Sequence, residues 1–234
     1  MIGISNLTVA FGDIRPINDL SADLTAPIVG LIGPNGAGKT TLLNAISGFV
    51  HPARGSITVA GRPLDRSSPQ KRAKLGIHRT FQQEQVVEDL TTWENVQAVT
   101  DHLTPRAGAA PDIRRALDFV GLADVDTTLG AHLNLFQRRK VEIAKTLVGR
   151  PVLILLDEPA AGLDDVETRQ LMQLLTSIPE ISGAQLVLID HDAALIASVC
   201  AEVLALDFGK RLALGPTRLV LDDPAVRDAY LGEV

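Results

Sequence analysis

Gly33-Pro34-Asn35-Gly36-Ala37-Gly38-Lys39-Thr40-Thr41 constrains this chain more than any other stretch. Gly33, Gly38, Lys39 and Thr40 stand at the fixed positions of G-x-x-x-x-G-K-[ST], a phosphate-binding loop. Ahead of it, Pro27-Ile28-Val29-Gly30-Leu31-Ile32 is a short apolar run that reads as a buried strand. Behind it, Thr40 to Phe49 carries apolar residues at helical spacing. Strand, glycine loop and helix come in the order that the chemistry needs. Glycines let successive backbone N–H groups point at one anion, and the helix N-terminus adds partial positive charge. Lys39 is placed for the β- and γ-phosphates of a nucleotide, and the Thr40 hydroxyl for Mg²⁺. A plain glycine-rich turn before a helix is the alternative. The full set of fixed positions and both flanks favour the phosphate loop.

At 234 residues the chain is long enough for one large α/β domain with a subdomain. A net charge of −6 gives no support to a general nucleic-acid-binding surface, although a local basic patch is compatible with it. The single cysteine, Cys200, has no partner for an internal disulfide, which suits a reducing compartment, and a buried small hydrophobe is its simplest reading. No signal peptide stands at the N-terminus, and no stretch approaches the ~20 apolar residues of a membrane span. A membrane role therefore requires docking onto an embedded partner rather than a lipid anchor.

Ile2 to Ala10 and Ile14 to Leu24 alternate apolar and polar residues and predict two hairpin-like strands. Phe11, between them, either stacks on a base or fills the core. Ser56 to Ala60 predicts a strand, Ser67 to Leu75 a short helix capped by Ser67 or Ser68, and Gly76 to Phe81 a strand leading to Gln82. From about Glu84 to Arg150 the composition shifts toward helix. Thr91 and Glu94 form a capping-box pattern. Thr104 to Pro111 reads as a loop, Asp112 to Val120 as a helix ended by Gly121, and Arg138 to Gly149 as an amphipathic helix. Val152 to Leu156 is a continuous apolar run suited to a parallel strand buried on both faces, and Gln185 to Ile189 is another. Helices are expected over Val166 to Leu175 and Asp192 to Ala201. A hairpin around Phe208-Gly209-Lys210 follows, and a tail helix from Asp222 to Tyr230.

Both buried strands end in polar residues. Asp157 and Glu158 follow the first, where Asp157 can hold Mg²⁺ directly or through water and Glu158 can polarise a water as general base. Adjacent acids after a strand can also be a loop or a helix cap. His191 follows the second and can bond a γ-phosphate; taken alone, it could equally be structural. Gln82, after its own strand, can ligate Mg²⁺ or orient water, or be a surface amide.

In this order these residues resemble the ATP-binding-cassette (ABC) ATPases over essentially the whole chain. The resemblance implies an adenine-stacking aromatic at Phe11, a Walker A loop from Gly33 to Thr41 and a Q-loop glutamine at Gln82. It further implies a Walker B end at Asp157-Glu158, a D-loop from Ala161 to Asp164 and a switch histidine at His191. The implied fold is α/β: a P-loop core with mixed sheet and an antiparallel β subdomain (1–83 and 151–234), with an inserted α-helical subdomain (84–150). Arg79-Thr80-Phe81-Gln82, Val141-Glu142-Ile143-Ala144, Asp157 to Leu163 and the tail from Asp223 to Glu233 are similar to the ATPase subunits of branched-chain amino-acid importers and related urea or amide importers. The resemblance implies ATP and Mg²⁺ as cofactors. It also implies transmembrane permease subunits and a second cassette as partners, and a cytoplasmic, peripheral place on the inner face of the cell membrane.

One position departs from the family. Its signature, Leu-Ser-Gly-Gly-Gln, is replaced by Leu133-Asn134-Leu135-Phe136-Gln137, just before the expected Arg138 helix. In the family this loop holds the partner cassette's γ-phosphate through backbone N–H groups. Phe136, compounded by Leu135, is expected to add bulk where backbone must approach closely. Asn134 could offer an amide donor there, and Gln137 is retained. The loop is either a tolerated variant or the degenerate half of an asymmetric heterodimer. A cassette with weak or no hydrolysis, or the ATPase of a lipid exporter, is a further alternative.

Overall fold

The computed structural model describes residues 1–64, 66–103 and 109–231. In chain order it forms β1 (Ile2–Phe11), β2 (Ile14–Leu24), β3 (Ile28–Ile32), α1 (Lys39–Ser47), β4 (Arg54–Val59), β5 (Arg62–Pro63), α2 (Pro69–Lys74) and β6 (Ile77–Arg79). Then come α3 (Thr92–Leu103), α4 (Ala109–Val120), α5 (Leu135–Leu147), β7 (Leu153–Asp157), α6 (Asp165–Ser182) and β8 (Gln185–Ile189). The chain closes with α7 (Ala193–Val199), β9 (Glu202–Asp207), β10 (Lys210–Pro216), α8 (Thr217–Leu221) and α9 (Pro224–Val226).

Alternation in β1 and β2 folds them into an antiparallel pair, which β4 and β5 extend in the order β2-β1-β4-β5. The second sheet runs β10-β9-β3-β8-β7-β6, parallel except for β10 against β9. Its central strands are buried throughout, β7 and β8 at all five positions each. Period-2 alternation divides those side chains between two cores. Leu153, Leu155, Val187 and Ile189 join the core under the antiparallel sheet and α1. Ile154, Leu156, Leu186 and Leu188 join the core built with the helices. Because β3, β6, β7 and β8 are parallel, the residues at their carboxyl ends come to one edge, where α/β sheets bind ligands.

Helix α8 stands where no helix is expected, the expected tail helix over Asp222 to Tyr230 is the short α9 followed by a separate turn, and several helix boundaries differ from expectation. Of the loop expected over Thr104 to Pro111, residues 104–108 lie outside the described residues. Ala109 to Pro111 instead open α4, where Pro111 sits in the first turn and withholds no intrahelical donor. Helix α6 runs past Leu175 to Ser182 with Pro179 inside it, since Leu171, Leu175 and Ile178 keep one apolar stripe buried, and Gly183 ends it in left-handed conformation. Helix α5 begins at Leu135, three residues before Arg138. The tail residues Gly232 and Glu233 lie outside the described residues.

Candidate nucleotide site

The loop after β3 is shaped by contacts that exclude side chains. Gly33 has φ +143° and Gly38 φ +103°; a Cβ on Gly33 would lie 2.1 Å from the Leu206 carbonyl oxygen, and one on Gly38 2.2 Å from that of Pro16. The Ala37 N–H donates to the Pro34 carbonyl at 3.1 Å to close the turn. Asn35, Gly36 and Thr40 are exposed, and Thr41 is half-buried. Gly38 is the N-cap of α1 and supplies no side-chain cap, so the first-turn N–H groups are left to an outside acceptor. The Lys39 ammonium folds back onto the carbonyls of Gly33 and Pro34. Burial lowers its pKa, and Glu158 and Asp157 act against that shift.

Asp157, at the end of β7, is 3% exposed and forms an ion pair with Arg79, Oδ2 to Nη2 at 3.0 Å. Its N–H donates to the Thr80 hydroxyl at 3.2 Å. Burial pushes its carboxyl up, while Arg79 pulls it down. Neither Arg79 nor Thr80 was expected here, although a carboxylate ending an all-apolar strand requires a nearby cation. Arg79 also donates to the Asn44 side chain at 2.6 Å, tying β6 and β7 to α1.

The structure gathers Glu158, His191 and Gln82. His191 Nε2 lies 2.9 Å from Glu158 Oε1, and Gln82 Nε2 donates to Glu158 Oε2 at 3.3 Å. Glu158 holds φ +53°, a left-handed conformation rare for a non-glycine residue. A carboxylate has about four lone-pair sites, so a bound water could still donate to it. Phe11 is 53% exposed, which removes the core reading. Asp164 is committed to α6: its carboxylate caps the Val166 and Glu167 N–H groups, each at 2.8 Å.

The segment from Asn134 to Gln137 corrects a further expectation. Asn134 is the N-cap of α5, accepting the Gln137 N–H at 2.8 Å, and the Gln137 side chain accepts the Asn134 N–H at 3.0 Å. Phe136 adds no bulk at an approach surface. It is 7% exposed, set in the helical core, with the Lys140 ammonium 4.4 Å from its ring centroid. At the second helical position its side chain turns inward, because that face of α5 continues into Val141 and Ala144. Leu135, at the first helical position, is the exposed apolar residue, 38% accessible. It lies over Gly162, whose imagined Cβ would meet Leu135 Cδ2 at 3.0 Å.

A family model described as ABC transporter matches residues 17–161. The chain belongs to this family. It is 33% identical over 251 residues to the high-affinity branched-chain amino acid transport ATP-binding protein LivG of Salmonella typhimurium (strain LT2), covering 100% of this chain and 98% of that protein. BraF of Pseudomonas aeruginosa, another branched-chain amino acid transport ATP-binding protein, is 32% identical over 250 residues and covers 100% of this chain and 98% of its own length. The lipopolysaccharide export ATP-binding protein LptB of Haemophilus influenzae is 32% identical over 234 residues, 97% of this chain and 95% of that protein. The ADP conformation of an ABC transporter cassette superposes with TM-score 0.87 at 23% identity, covering 99% and 98% of the two chains, and shows the shared fold. A dimeric bacterial cassette superposes with TM-score 0.80 at 24% identity, covering 93% of this chain and 99% of that one.

As an ABC cassette the chain is an ATP-hydrolysing transporter subunit, of a family that works with transmembrane permease subunits. Among the described residues no helix is long and apolar enough to cross a membrane.

Proposed function

We propose that this chain drives import of branched-chain amino acids, or of a related small polar solute, from the inner face of the cell membrane. Full-length similarity to LivG carries the reading. Similarity to LptB at nearly the same identity supports a second reading, the ATPase of a lipid exporter.

In the proposed mechanism the backbone of Gly33 to Gly38, the N-terminus of α1 and Lys39 hold the nucleotide phosphates, and Phe11 faces the base. Among the described residues no group of three or more His, Cys, Asp or Glu side chains could hold a metal alone. That suits Mg²⁺, which keeps several waters and binds through phosphate oxygens with only one or two protein carboxylates and a few other protein oxygens. Thr40, Gln82 and Asp157 Oδ1 would supply those, and the ion would neutralise charge on the phosphates. Glu158 takes the proton of the attacking water. His191 and Gln82 orient its two oxygens, and His191 would bond the phosphate being cleaved.

The signature face supports an unlike partner. A second cassette with intact glycines would complete this chain's own site, while Leu135 weakens the reciprocal one.

Phosphate release tests the chemistry: Glu158→Gln should lose at least about a hundredfold in kcat with ATP still bound. A Glu158→Gln chain that turns over normally would sink the assignment of the base. Uptake of labelled leucine by cells carrying wild-type or Glu158→Gln chain tests the solute. Equal uptake in both would move the reading to export.

A further inference from the structure

Tyr230 is the sole tyrosine of the chain, and the chemistry described above makes no use of it. It stands in the turn Arg227–Leu231 that follows α9. Asp223 caps α9 by accepting the Ala225 N–H at 2.8 Å, and Val226, four residues before Tyr230, is fully buried and pins the tail. The Tyr230 ring packs against the core that lies beneath β7 and β8. Its hydroxyl reaches the segment after β8, where it donates to the carbonyl oxygens of Asp190 at 3.1 Å and His191 at 3.2 Å. A phenol has one proton, so the two carbonyls share it. Burial, with Asp190 and Asp192 nearby, pushes the phenol up to about 12, so the donor keeps its proton at neutral pH.

The same backbone is held from two other sides. The Asp190 carboxylate accepts the Asp192 N–H at 3.0 Å and the Ala160 N–H at 3.4 Å, the latter from the loop after Glu158. The His191 side chain is 51% exposed, so packing constrains its ring only in part. Its direction therefore depends on the backbone that carries it, and displacement of that backbone would lengthen the 2.9 Å contact with Glu158. We propose that Tyr230 is a positioning residue for His191, holding the carbonyls of Asp190 and His191 so that the imidazole meets Glu158. The tail after α9 thereby becomes part of the hydrolytic apparatus. This inference rests on the role given to His191 above.

Tyr230→Phe in the full chain removes the hydroxyl and keeps the ring. Amide hydrogen–deuterium exchange over the peptide spanning 189–194 should then run about fivefold faster, the size of one neutral hydrogen bond, with the remaining core unchanged. In steady-state ATP hydrolysis kcat should fall about three- to tenfold with KM for ATP within about twofold. In a His191→Ala background the same substitution should have no further effect on kcat. Unchanged exchange at 189–194 would overturn the proposal. So would an equal fractional fall in kcat with and without His191, which is what a merely structural tyrosine would give. A His191→Ala chain as active as wild type would overturn the role of His191 instead. The exchange result would still decide whether Tyr230 holds the segment.

Discussion

Two helices in this protein begin where the sequence resemblance implies phosphate contacts, and they begin in opposite ways. Helix α1 starts behind Gly38 with no side-chain cap, after a loop whose glycines leave backbone bare. Helix α5 starts behind Asn134, where Asn134 and Gln137 close a full capping box and Phe136 is sunk into the core. An uncapped helix start forgoes roughly 1 kcal/mol of local stability and keeps donors for a ligand. A capped start keeps the stability and surrenders a donor. The comparison separates what is built for binding from what is built for folding.

The largest expected effect lies on the α1 side. Gly38→Ala would put a methyl group 2.2 Å from the Pro16 carbonyl at φ +103°, so the loop must move. Binding of a fluorescent ATP analogue should weaken by at least about a hundredfold, equivalent to about 3 kcal/mol. Gly36→Ala is the control: its φ is +81° but its Cβ would meet nothing within 4 Å. Its unfolding free energy should stay within the ~1–2 kcal/mol of left-handed strain, and its binding of the same ATP analogue should fall by less than about tenfold. Equal losses in both variants would mean that backbone conformation, not close approach, governs the loop.

Phe136→Gly comes next, and it breaks folding rather than chemistry. Removing a ring that is 7% exposed should cost at least about 3 kcal/mol in urea unfolding. A stability within ~1 kcal/mol of wild type would return Phe136 to the surface, where the sequence suggested it.

That reversal shows what was legible beforehand. The phosphate loop, Asp157-Glu158 and His191 could be read because each is local: polar residues after an apolar run that becomes a parallel strand; Gln82 follows the short, more polar β6 and is legible mainly through the family resemblance. The two-core division followed from the same runs once β7 and β8 alternated between faces. The Arg79–Asp157 pair joins residues 78 apart in sequence, and Tyr230 meets Asp190 across 40, distances at which pattern carries no signal. The start of α5 did carry one. Asn134 with Gln137 three residues later is a capping-box spacing, which places Leu135 and Phe136 inside the helix and turns Phe136 inward. Comparison with the glycine signature obscured that local reading.

Leu135→Gly sharpens the contrast with less damage. Leu135 is exposed at the first helical position, so the change should alter stability by about 1 kcal/mol or less. If Leu135 is what obstructs the facing site, the chain alone should hydrolyse ATP about tenfold faster, worth about 1.4 kcal/mol in the barrier. Little change would mean that the capped helix serves as it stands, and that two copies of this chain suffice. A gain would favour an unlike cassette as the natural partner.

The smallest effect falls on the cap itself. Asn134→Ala removes the acceptor for the Gln137 N–H at 2.8 Å and leaves the Gln137 side chain still able to bond the Asn134 backbone N–H. Half the capping box survives, so the expected loss is about 1 kcal/mol, measured by urea unfolding. Asn134→Ser keeps an oxygen in place and should recover most of it. The two variants should part in hydrolysis as they do in stability only if the cap holds Leu135 in position over Gly162. If hydrolysis is unchanged while stability falls, the N-terminus of α5 is a folding device, and the resemblance between the two helix starts ends at their geometry.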